Sequence, residues 1–160
     1  ESGIPYSFLR NNWYLENEAG TIQSVLAGAP WLTSAGSGKV GWATRADYAE
    51  AAAAVLSGEG HENTIYELSG KPITQEELAA ILAEVLGKDV PVQQVDDAAY
   101  AEIMLGAGVP EGAIPIVVGI QQAIREGALD VASNDLEKLL KRPLTPLNQG
   151  ISELVKQIQA

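Results

Sequence analysis

The sequence predicts an α/β fold whose sheet is incomplete and whose C-terminal region is mainly helical. Three observations carry this prediction. Up to Val95, short runs of period-two alternation interleave with stretches of helical spacing. Beyond Val95 only helical patterns continue. Just two of the strand runs are long, fewer than a stand-alone parallel sheet with helices on its faces requires.

Ile4, Tyr6 and Phe8 alternate with smaller or polar residues between Gly3 and Asn11, which reads as a strand. Apolar residues at 15, 19, 22, 25 and 26 recur at helical spacing until Gly28-Ala29-Pro30 stops the pattern. Trp31-Leu32-Thr33 and Val40 to Ala43 are two short extended pieces joined by the turn Ala35-Gly36-Ser37-Gly38. Thr44, three residues before Asp47, caps a largely buried alanine-rich helix that ends at Gly58. Thr64 to Leu68 is the second long strand, and Thr74-Gln75-Glu76-Glu77 is a capping box that starts a helix closed by Gly87. Val90 to Val95 alternates, with Pro91 confining it to an edge. Asp96-Asp97 is an acidic start to a helix through Leu105. Helices follow at about 113–126, at 135–140 behind the cap Ser133-Asn134-Asp135, and at about 145–158.

Composition narrows the function. The chain has 160 residues, 46% hydrophobic, with 10 Lys plus Arg against 21 Asp plus Glu and a formal charge of -11. An acidic chain without a basic patch is a poor ligand for a phosphate backbone, so no nucleic acid is expected. No apolar run reaches the roughly 18 residues of a membrane span. The absence of Cys excludes thiol catalysis and thiolate metal sites and suits a reducing cytoplasm. The single His61 leaves no His-rich metal site and reads as a solvated turn residue. Glu1-Ser2-Gly3, with Met104 the only Met, suggests a chain that was trimmed or that begins within a longer protein.

Gly36-Ser37-Gly38-Lys39-Val40-Gly41 matches G-x-G-x-x-G, but it runs into an extended piece rather than a helix and reads as a turn between strands. No Tyr has a Lys four residues on at helical spacing, so the usual short-chain reductase acid is missing. Arg45 and Asp47 are placed to pair across a helix start. The richest cluster is Arg10-Asn11-Asn12-Trp13-Tyr14, where a strand ends and a helix begins. Open α/β sheets collect ligands at such ends. Two amides and two aromatic faces there suit a planar ligand, and they equally suit a helix cap with packed aromatics.

At this cluster the sequence acquires a specific likeness. Ser2 to Asn11, Trp13 to Asn17, Ser34 to Lys39, Arg45 to Ala52, Tyr66 to Gly70, Leu105 to Pro110, Gly127 to Leu129 and Arg142 to Pro146 occur in one order. Together they resemble the NmrA-like, atypical short-chain dehydrogenase/reductase family, within it the bacterial NAD(P)H:quinone oxidoreductase type. The resemblance implies the C-terminal half of an NAD(P)-binding Rossmann-like fold. Residues 1–70 would be the last strands and helices of its sheet and 71–160 mostly a small substrate lobe, with the glycine-rich cofactor-binding half absent. It further implies NADPH or NADH as cofactor and hydride transfer to a quinone-like acceptor, with Asn11 as the catalytic contact. Arg10, Asn11 and Asn12 would lie on the cofactor, and Trp13, Tyr14, Gly36, Lys39 and Arg45 on the substrate; no metal is implied. The family commonly has Gly where Asn12 stands. A homodimer, or association with a nucleotide-binding half, would cover the sheet edge. The alternative in the same family is a dinucleotide-binding redox sensor that regulates a partner without catalysis.

Overall fold

A computed structural model describes residues 3–160; Ser2, the first residue of the first family-like block, lies outside them. In chain order, β1 (Ser7–Asn11) leads through a short 3-10 turn into α1 (Ala19–Leu26). Then come β2 (Trp31–Thr33), β3 (Lys39–Val40) and α2 (Arg45–Ser57), followed by β4 (Thr64–Leu68), β5 (Ile73–Thr74) and α3 (Gln75–Leu86). The remainder is β6 (Val92–Gln94), α4 (Asp97–Gly106), α5 (Ile114–Arg125), α6 (Asp135–Leu140) and α7 (Leu147–Gln159). Every longer expected element is present, and the sheet is indeed fragmentary. Among the described residues it consists of three two-stranded ladders.

β1 pairs with β4 in parallel, Phe8 opposite Ile65 and Arg10 opposite Glu67. Alternation therefore sends Leu9, Tyr66 and Leu68 to one face, where they pack against Tyr48 of α2 and Leu136 and Leu140 of α6. The other face carries Phe8 and Ile65, 54% and 45% exposed, with the ring of Tyr6 stacked on Phe8 at 4.6 Å. The two extended pieces around Gly36 do not pair with each other. β2 runs parallel to β6, and β3 runs antiparallel to β5. Gly36 takes a left-handed φ of 58°, and Gly38 packs so tightly that a Cβ would meet the backbone of Ile124 in α5, which turns β3 away from β2.

Two cores result, divided by packing rather than by position in the chain. The larger joins Leu15, Ile22 and Trp31 to Leu78 of α3, Ile124 of α5 and Ile151 and Leu154 of α7. The smaller lies beneath the β1–β4 pair. Leu15, Ile22, Trp31 and Trp42 thus share a core with the later helices.

Two local expectations need correction and a third is refined. α2 is buried only along Asp47, Tyr48 and Ala51, and Leu56 is exposed, because a single layer covers it. In the expected cap of α6, Asn134 holds the N-cap position without a side-chain bond, and Ser133 Oγ accepts from the Asp135 N–H. His61 is half-buried rather than solvated, its Nδ1 2.7 Å from the Tyr66 hydroxyl.

Candidate active site

The end of β1 fixes the first set of expected residues. Arg10 forms a cross-strand ion pair with Glu67 at 2.6 Å on the outer face of the sheet. Asn11 is exposed, and its amide donates to the Tyr14 hydroxyl at 3.0 Å, leaving its Oδ1 without a protein donor among the described residues. Asn12 turns inward instead. Its Nδ2 donates to Ser69 Oγ and to the Leu129 carbonyl, and its Oδ1 accepts from the Trp13 N–H. All of its polar atoms are engaged, so it ties β1 to the segments after β4 and α5. Tyr14 packs on Tyr48 at 5.0 Å and lies 6.0 Å from the Arg45 guanidinium.

Arg45 and Asp47 do not pair. The Arg45 N–H is held by the Glu16 carboxylate, while Asp47, with no accessible surface, accepts from Arg142 Nη2, from the Thr145 N–H and from the Thr145 hydroxyl. Gly36 and Lys39 belong to the turn and strand between β2 and β5, and neither lines the cavity that Trp13 enters.

That cavity encloses 330 Å³ between α1, α4 and α5. Its apolar wall includes Trp13, Leu32, Met104, Val117 and Ile120, and its polar groups include Glu18, Gln75, Tyr100 and Gln121, with Asn17, Thr21 and Ser24 also on its lining. The amide oxygens are already used: Gln75 Oε1 accepts from the Trp31 indole, and Gln121 Oε1 from the Thr33 hydroxyl and the Ser34 N–H. Both amides keep N–H donors with no protein acceptor among the described residues, although no sealed-in polar atom lacks a partner. Their free donors therefore reach open space, and the cavity is the space both residues line.

Glu18 is 8% exposed, and one oxygen, Oε1, accepts from both the Trp13 indole at 3.2 Å and the Trp42 indole at 3.0 Å. Burial pushes its carboxyl up, opposed by the two indole N–H groups and Thr21. Burial likewise raises the Tyr100 phenol, with the neighbouring Glu18 charge adding to it. A larger groove of 590 Å³ runs along Leu144 to Asn148, but its titratable groups, Lys71, Glu84 and Glu137, are all exposed. An apolar cavity with converging polar groups and a perturbed carboxyl is the better ligand site. The sequence reading identified Trp13 but missed Glu18, Gln75, Tyr100 and Gln121, because four different elements bring them together. Among the described residues, no group of three His, Asp or Glu is placed to hold a metal ion.

A parallel strand pair backed by helices, with a cavity just beyond a strand's C-terminal end, is the arrangement of part of a Rossmann-like α/β fold. Comparison with known proteins makes that class specific. No protein-family model matches the chain. Quinone oxidoreductase 2 of Escherichia coli is 39% identical over 155 residues, covering 96% of this chain and 54% of that protein. The structure of an E. coli NADPH-dependent quinone oxidoreductase complexed with NADPH matches at a TM-score of 0.89 and 39% identity, over 96% of this chain and 55% of that one. Citrobacter triphenylmethane reductase complexed with NADP(H) matches at 0.85 and 44% identity, over 97% and 54%. A mutant NmrA, at 0.68 and 15% identity over 94% and 53%, shares the fold alone. The chain is homologous to one half of quinone oxidoreductase 2, and it spans about half the length of the curated relatives it matches.

Proposed function

We propose that this chain is the acceptor-binding part of an NAD(P)H-dependent oxidoreductase that passes a hydride to a quinone or similar planar acceptor. The observation that carries the reading is the 330 Å³ cavity: an apolar slot walled by Trp13, with amide donors from Gln75 and Gln121 for the oxygens of a flat, carbonyl-bearing ring. The names of the E. coli and Citrobacter relatives support it.

The residues fit one end of the cofactor. The Gly36 to Lys39 turn opens into β3 instead of a helix, so it offers a pyrophosphate no helix N-terminus. The exposed Asn11, with an unused Oδ1, suits a nicotinamide carboxamide or the acceptor oxygen. The nicotinamide, when bound, supplies the hydride, and this chain's contribution is placement. Asn11 orients, Trp13 provides the flat wall, and Asn12 holds the strand end at a fixed distance from the segments after β4 and α5. Tyr14 steadies Asn11 through its hydroxyl, with Arg45 beside the Tyr14 ring. Arg10, Gly36 and Lys39 serve the surrounding surface.

The uncovered face of β1 and β4 is where a complementary nucleotide-binding half, or a second copy, would pack. A chain without Cys suits the cytoplasm, and no described helix is long and apolar enough to cross a membrane. When the full-length oxidoreductase is assayed with NADPH and benzoquinone, Asn11→Ala should lower kcat/KM at least about tenfold, roughly one lost charge-orienting hydrogen bond. Unchanged turnover would remove the assigned role. Without a phosphate-binding turn, the chain alone should bind NADPH weakly, and a sub-micromolar Kd would contradict the division of labour.

A further inference from the structure

Among the described residues Glu18 is the one buried carboxyl lining the cavity. The described residues place no Lys, Arg or His within ion-pair distance of it. The polar groups that meet it from other elements are neutral: the Trp13 and Trp42 indoles, the Thr21 hydroxyl of α1 and, from α4, the Tyr100 phenol. Both indoles donate to Oε1. Oε2 has only Thr21 Oγ1, at 3.5 Å, too long to be a strong bond. A carboxylate so placed is poorly compensated, whereas a carboxylic acid keeps Oε1 as the acceptor for the indoles and has an O–H left on Oε2. Burial shifts the group in that direction.

We propose that Glu18 donates the proton that completes reduction of a carbonyl acceptor seated in this cavity; the inference rests on the hydride-transfer reading above. Hydride from the reduced nicotinamide adds two electrons and one hydrogen to a quinone, leaving a hydroquinone monoanion and an oxidised nicotinamide. The Oε2–H bond of Glu18 then breaks and an O–H bond forms on the anionic oxygen, giving the neutral hydroquinone. Glu18 remains as a carboxylate steadied by two indole N–H groups, and it regains a proton from water at the exposed rim formed by Asn17, Gly20 and Ser24, beside Thr21. Neither electrons nor protons accumulate on the protein.

The indoles allow a test that does not depend on turnover. In the chain itself, a pH titration of tryptophan emission should show a transition displaced upward from the usual Glu range, and Glu18→Gln should abolish it. Saturable quenching by 1,4-naphthoquinone should persist in Glu18→Gln with a Kd within about twofold, because the amide still accepts from both indoles. In the full-length oxidoreductase with NADPH, Glu18→Gln should lower kcat about 100-fold with little change in KM and should remove the fall in rate at high pH. If naphthoquinone does not bind, the cavity reading fails and this proposal fails with it. If it binds, but the emission transition survives in Glu18→Gln or the pH–rate profile is unchanged, the Glu18 role alone is overturned.

Discussion

Asp47 and Glu18 are both acidic residues close to the start of a helix, and the structure uses them in opposite ways. Asp47 is a carboxylate with three donors from Arg142 and Thr145, joining α2 to the segment before α7. Replacing it with Ala strands the Thr145 N–H and one bond of Arg142, and urea unfolding should show a loss of about 2–3 kcal/mol. The half-exposed Arg142 keeps Glu50, which holds the figure below that for a fully buried pair. Among the described residues Glu18 has neutral donors only, and burial raises its folded-state pKa above the unfolded value. The native state therefore holds this proton more tightly. The Glu18 contribution to stability should fall as pH rises from the ordinary Glu value through the raised folded one, and it should be absent from Glu18→Gln in pH-dependent melting. Neither role was legible locally. Asp47 was expected to meet Arg45 two residues away but meets Arg142, and the indole of Trp42 that marks Glu18 comes from beyond two intervening strands.

At the scale of elements, signals contained within one turn were readable and partner choices were not. Thr74 and Glu77 form the reciprocal capping box their spacing predicts, and Gly87 ends α3 in the left-handed region with φ 63°. The extended character of β2 and β3 was also readable. Their partners were not, since β6 and β5 are supplied from much later in the chain and the choice depends on how α5 packs. Asp97 marks the same limit. Read as a favourable charge at a helix start, it is also a clasp: Arg125 grips it with two bonds, at 2.9 and 2.8 Å, while Ser34 and Gln122 donate as well. These bonds, Arg125 first, hold its carboxyl well below the usual carboxylate range. Its stabilisation is complete above the ordinary Asp pKa and is lost as pH falls through the lowered one, so Asp97→Asn should flatten the acid side of the melting profile. Gly70 is a sharper constraint. A Cβ there would fall on the Trp42 carbonyl, so Gly70→Ala should displace the Trp42 segment and cost on the order of 2–3 kcal/mol, read as a drop in Tm.

For the molecule as a whole, the shortage of strands was the most informative feature of the sequence. Two parallel strands with helices on one face leave Tyr6, Phe8 and Ile65 in the open, where parallel sheets are ordinarily covered on both sides. Such a face should drive self-association or pairing with a nucleotide-binding half, and Phe8→Glu should weaken it in sedimentation experiments. A strictly monomeric chain at high concentration would contradict this. The residues around Asn11 were legible because they are contiguous and lie at a strand end. The cavity was not, because Gln75, Tyr100 and Gln121 come from three helices whose packing no local pattern encodes. Titrating the chain with 1,4-naphthoquinone while following tryptophan emission tests whether the acceptor binds in that cavity. Saturable quenching is expected, with a Kd in roughly the micromolar to millimolar range typical of enzyme substrates, and it should be lost when Val117→Phe fills the cavity. Quenching that never saturates, or that saturates equally in Val117→Phe, would contradict it.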